Sequence, residues 1–141
     1  MTSVVTRSES ETIEAGRALG RDLRPGAVVL LHGPLGAGKT AFVRGLAEGL
    51  GCDPDAVSSP TFTIVQEYRG AVTLEHVDLY RLTPAEVDDL ALEDLFDDHV
   101  VAVEWPDRWR SAPDDATVVR IDVVGTSDRR ITIEVFGAPG L

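Results

Sequence analysis

A chain of 141 residues, 43% of them hydrophobic, is sized for one folded domain with a buried core, residues 1–141. Its formal net charge of -11 repels nucleic-acid phosphates, so unaided binding to RNA or DNA is not expected and a basic protein partner fits better. No membrane-length apolar run, targeting segment or second cysteine beside Cys52 is present, which excludes a spanning helix and an internal disulfide and makes the cytoplasm the expected compartment.

In chain order, residues 3–6 predict a short strand. Ser8 followed by Glu11 is a capping box, opening a helix to about Asp22 with Ile13, Ala15, Ala18, Leu19 and Leu23 inward. Pro25-Gly26 marks a turn. Residues 27–31, AVVLL, are wholly apolar, as a strand buried on both faces requires. GPLGAGKT, residues 33–40, then fits G-x-x-x-x-G-K-[ST], the phosphate-binding loop of nucleotide-triphosphate proteins. Gly33, Gly36 and Gly38 let the backbone come close to phosphates, and successive N–H groups converge at the positive end of the next helix. Lys39 brings a point charge to the β- and γ-phosphates, and the Thr40 hydroxyl is a Mg²⁺ ligand. Residues 41–50 place Phe42, Val43, Leu46, Ala47 and Leu50 at helical spacing, with Gly51 as the stop.

Lys39 is the only lysine among 13 basic residues, the rest being arginine, and asparagine is absent. A composition so shifted toward arginine nevertheless keeps an ammonium in the loop, where a planar guanidinium would not fit.

Residues 51–62 form a loop ending SSPTF. There the Ser59 or Thr61 hydroxyl senses a γ-phosphate, or Pro60 simply fixes a turn; both readings stand. Residues 63–68 and 72–78 predict a β-hairpin across Arg69-Gly70. Residues 84–98 predict an acidic helix with Val87, Leu90, Leu92, Leu95 and Phe96 as its apolar set. Residues 100–104, VVAVE, read as a second fully buried strand, and residues 117–124 and 130–136 as a hairpin around GTSD. The fold class that results is α/β: a P-loop NTPase-like mixed sheet, parallel at its centre, with antiparallel edge hairpins and helices on both faces.

A phosphate loop needs an acid at the end of a neighbouring strand. Glu104 ends the unbroken VVAV run and is assigned to the metal. Asp78 ends a more alternating strand, expected to be less buried, and is assigned to orienting water beside the metal. His76 reads as a packed or partly exposed strand residue and Cys52 as inert. Trp105 and Trp109 read as interface anchors or core.

Together, GPLGAGKT, SSPTFTIV, HVDLYRL and VEWP resemble one family, the bacterial ATPase subunit of tRNA threonylcarbamoyladenosine biosynthesis, TsaE (formerly YjeE). The resemblance spans residues 3–106. It implies that residues 33–40 hold ATP or ADP, with Thr40 and Glu104 on Mg²⁺ and Asp78 as a Walker-B-like acid. It also implies a switch-like segment at residues 59–62, including Thr61, and puts Glu9 near the base. Its partners would be a TsaD-like transferase subunit and its TsaB-like paralogue, whose joint activity modifies tRNAs reading A-starting codons, with ATP regulating or resetting them. Pro34 departs from the family's aspartate and removes one N–H, but the cradle is built from Leu35, Gly36, Ala37, Gly38, Lys39 and Thr40.

The competing reading is a small P-loop kinase acting on a metabolite. It would need a basic lid, whereas the stretch after the hairpin is acidic, with Arg81 its main candidate. A GTPase is disfavoured because N-K-x-D cannot be written without asparagine. A nucleotide-gated scaffold with little turnover is the non-enzymatic reading.

Overall fold

The apolar runs AVVLL and VVAVE become neighbouring strands in the middle of one sheet. The computed structural model describes residues 1–57, 64–96 and 98–135. Its elements are β1 (Thr2–Thr6), α1 (Glu9–Asp22), β2 (Val28–His32), α2 (Lys39–Gly49), β3 (Val65–Tyr68), β4 (Thr73–Asp78), α3 (Pro84–Asp89), β5 (His99–Glu104), β6 (Thr117–Val123) and β7 (Arg129–Glu134). The seven strands lie in the order β1-β7-β6-β2-β5-β4-β3. From β6 through β2 and β5 to β4 the pairing is parallel; β3, β7 and β1 add antiparallel edges.

Period-2 alternation sorts the central strands between two cores. Val29, Leu31, Val100 and Ala102 face α1 and α2, while Val28, Val101 and Val103 face the other layer, which contains α3. Helices therefore cover both faces, which is why β2 and β5 read as continuous apolar runs. No helix among the described residues is long and apolar enough to cross a membrane.

Three local expectations change. β4 is not a less buried strand: β5 and β3 flank it, and Leu74, Glu75, His76 and Val77 are all buried. The acidic helix is interrupted, since α3 ends at Asp89 and Ala91 turns to φ 51 before a short 3-10 turn at Leu92–Leu95. That break lets Val87, Leu92 and Leu95 reach one core, which a continuous helix would spread around its circumference. In α1, Ser8 accepts from the Glu11 N–H as expected, but Glu11 reaches back to the Arg7 N–H rather than to Ser8.

The buried face of α1 is Thr12, Gly16, Leu19 and Gly20, and Ala18 is exposed. The reason is a seam of glycines. Gly16 and Gly20 on α1 meet Gly45 and Gly49 on α2, and a Cβ at any of the four would lie 2.0–2.6 Å from a backbone oxygen of the facing helix. At these four positions the helices touch backbone to backbone.

At the β4 end remote from Asp78, buried Glu75 stands opposite Glu67 in register, and its Oε1 is 2.9 Å from His99 Nδ1. Burial, then the hydrogen bond and charge of Glu67, push the Glu75 carboxyl up to about 7, against the opposing pull of His99. A raised carboxyl contributes stability that is complete below its unfolded value and lost as pH rises through its folded value. Between about pH 5 and 8 the native protein should therefore lose on the order of 2 kcal/mol from this group, and Glu75→Gln should flatten the slope. Thermal melts of both proteins across that range measure it; parallel profiles would refute the assignment.

Candidate phosphate-binding site

The loop between β2 and α2 leaves a helix start open. Ser8 caps α1 and Thr83 caps α3 through their hydroxyls, whereas α2 begins at Gly38 (φ 101) with no capping side chain and no acid in its first turn. Its leading N–H groups are thus left to an anion. Gly33 lies so close to β6 that a Cβ there would be 2.9 Å from the Ile121 carbonyl. The Pro34 carbonyl accepts from the Ala37 N–H at 3.1 Å, so the turn closes without the N–H that proline lacks. On its outer side the loop is held by Arg129, whose Nε donates to the Ala37 carbonyl (3.0 Å) and whose Nη2 donates to that of Gly36 (3.4 Å).

Lys39 is folded back into this loop and only 5% exposed. Its Nζ donates to the Gly33 carbonyl at 2.7 Å, lies 3.7 Å from Glu104 Oε1 and sits 4.4 Å above the Trp105 ring centre. A carbonyl, a carboxylate and a π-face together hold this cation at the loop.

Parallel register places Asp78 and Glu104 side by side at the ends of β4 and β5. Burial alone would raise the Glu104 carboxyl, but the hydrogen bond and charge of His76, joined by Lys39, outweigh it and hold it below the ordinary value. Asp78 goes the other way. Burial raises it, the Tyr80 N–H donated to Oδ1 at 2.9 Å opposes, and the Glu104 charge raises it again. Of the two carboxylates, Glu104 is the one held toward its ionised form; Thr40 lies in the first turn of α2, next to Lys39.

The structure thus brings Gly33, Lys39, Asp78 and Glu104 together. Ala37 is buried and Leu35 is 73% exposed. Glu9 stands at the exposed start of α1, 3.4 Å from Arg44 Nη1; α1 approaches the loop at Thr12, whose Cγ2 would be 3.7 Å from a Cβ at Gly38. Ser59, Thr61 and Phe62 lie outside the described residues. Trp109 is core, and Trp105 lies between Lys39 and the Tyr80 ring, 5.0 Å away. His76, read as a packed or partly exposed strand residue, is fully buried with its Nε2 2.6 Å from Glu104 Oε2, a contact the sequence reading did not include, and Arg129 was not singled out. The first had a signal, a polar ring in an apolar strand two residues before Asp78; the second had none.

An uncapped glycine-rich loop between a central parallel strand and a helix, its lysine facing an acid on the next strand, defines a P-loop NTPase-like protein. The family model for the threonylcarbamoyl adenosine biosynthesis protein TsaE matches residues 6–131. The tRNA threonylcarbamoyladenosine biosynthesis protein TsaE of Treponema pallidum is 41% identical over 132 residues, 92% of this chain and 97% of its own. That of Streptomyces coelicolor is 42% identical over 134 residues, covering 88% and 90%. The crystal structure of Bacillus subtilis YdiB superposes with a TM-score of 0.80 at 32% identity, covering 96% of this chain and 86% of YdiB. The chain belongs to the TsaE family.

Proposed function

We propose that this chain is the ATP-binding and hydrolysing subunit of the machinery that forms threonylcarbamoyladenosine in tRNA, the process its relatives are named for. The observation that carries the reading is the Lys39 ammonium, held on the Gly33 carbonyl at the uncapped start of α2 and 3.7 Å from Glu104. In use, the amides of residues 35–40 take the phosphate tail of ATP or ADP, and Lys39 exchanges the Gly33 carbonyl for β- and γ-phosphate oxygens. Thr40 and Glu104 are the residues to hold Mg²⁺, which when bound neutralises charge developing on the transferred phosphoryl group. Asp78 orients the attacking water, and Thr61 or Ser59 senses the γ-phosphate.

Arg129 is committed to the loop's own carbonyls, so it does not serve as an arginine finger. P-loop hydrolases lacking a finger in cis turn over at roughly 10⁻⁴ s⁻¹, and a supplied one adds on the order of 10³–10⁵-fold. Slow turnover alone, accelerated by a TsaD-like transferase and its TsaB-like paralogue, follows. A net charge of -11 fits action through those proteins in preference to direct contact with RNA.

Titration with ATP, GTP and ADP, then phosphate release with and without the transferase pair, tests this. Preference for adenine nucleotides and partner-stimulated release are expected. Phosphate found on a metabolite would establish a kinase instead, and fast turnover indifferent to the partners would overturn the switch reading. Glu104→Ala should lower Mg²⁺-dependent turnover on the order of 100-fold or more while leaving metal-free nucleotide binding in place. Intact hydrolysis in that variant would remove Glu104 from the metal.

A further inference from the structure

We infer that His76 is a positioning residue that fixes the Glu104 carboxylate for a divalent cation; the inference rests on the nucleotide-site reading above. His76 is fully buried on β4, and its partner in the β4–β5 register is Ala102, two residues before Glu104 on the same strand. From there its Nε2 lies 2.6 Å from Glu104 Oε2. The other carboxylate oxygen, Oε1, is the one facing Lys39 at 3.7 Å. One oxygen is thus gripped from within the sheet, and its twin is presented to the phosphate loop.

The hydrogen-bond inventory of the ring supports this division. A carboxylate oxygen accepts, so in this contact Nε2 donates to Oε2. Nδ1 is buried without a partner among the described residues, so the contact to Glu104 is the hydrogen bond the ring makes there. An imidazole sunk in an apolar layer with a single hydrogen bond is a poor way to gain stability, because a leucine of similar volume would bury as well without a polar cost. What leucine cannot do is hold a carboxylate rotamer. Groups that orient a metal-binding carboxylate typically cost about 10–100-fold in metal affinity when removed.

The test compares wild type, His76→Leu and His76→Gln, all checked for folding by circular dichroism. A fluorescent ATP analogue is bound first in EDTA, then across a MgCl₂ titration, with Mn²⁺ binding to the nucleotide complex followed by electron paramagnetic resonance. His76→Leu should need on the order of 10–100-fold more divalent cation, with affinity in EDTA within about twofold of wild type. His76→Gln, whose amide N–H can replace Nε2–H, should recover most of the loss. An unchanged cation requirement in His76→Leu overturns the inference, as does an equal loss of affinity in EDTA and in Mg²⁺, which would mark a packing role. If His76→Leu does not fold, His76→Gln decides alone: a near-wild-type requirement supports the inference, and a large loss of cation affinity overturns it. Wild type that binds no nucleotide, or binds it without regard to divalent cation, would instead refute the underlying site.

Discussion

Lys39→Ala is expected to remove nucleotide binding, with ATP affinity falling on the order of 100-fold or more, equivalent to about 3 kcal/mol. Arg120 lines the same pocket, but a planar guanidinium does not replace the compact ammonium held on the Gly33 carbonyl. Lys39 is the chain's only lysine, and Arg129, the guanidinium on the loop, is spent on the carbonyls of Gly36 and Ala37. Alanine also strips Glu104 of the cation 3.7 Å away, leaving a 5%-exposed carboxylate to repel the incoming phosphates. Lys39→Arg should not restore binding, because a planar fork does not fit where Nζ meets the Gly33 carbonyl at 2.7 Å. Calorimetric titration of the three proteins with ATP and Mg²⁺ gives the result directly. Wild-type affinity in Lys39→Ala would mean that the phosphates bind elsewhere.

How much of this was readable from the amino acids depends on what carried the signal. β2 and β5 were legible because a strand buried on both faces must be apolar at every position, and both runs ended at residues with chemistry, the loop and Glu104. The loop itself was legible because its glycines, Lys39 and Thr40 are contiguous. β4 misled because Thr73 and Glu75 alternate with apolar residues as they would in a half-exposed strand; only the fold shows that Glu75 is buried with a partner, His99, on the neighbouring strand. Arg129 reaches the loop from 92 residues away, a distance over which local pattern says nothing. The break at Ala91 was hidden because alanine is a good helix former, and tertiary packing there overrides propensity. The α1–α2 seam was hidden for a different reason: periodicity is sought in large apolar residues, and the contact is made by residues without side chains.

That seam carries the largest expected effect on stability. Gly45→Ala would put a methyl group 2.0 Å from the Ile13 carbonyl oxygen, 2.8 Å from the Arg17 nitrogen and 2.9 Å from the Gly16 Cα, all backbone atoms of α1. No side chain can swing aside, so one helix must move. In an exposed helix the same change would stabilise by about 1 kcal/mol through helix propensity; here overpacking should dominate, with a net loss of about 3 kcal/mol or more. Because α2 starts at Lys39, moving it also displaces the lysine from Gly33 and Glu104, and nucleotide affinity should fall together with stability. Urea unfolding of Gly45→Ala beside wild type, with and without saturating ADP, separates the two losses. A variant within about 0.5 kcal/mol of wild type would show that the helices do not meet backbone to backbone. One that lost stability but bound ADP normally would show that α2 can shift without carrying the loop, and that the cradle is anchored by Arg129 and β2 alone.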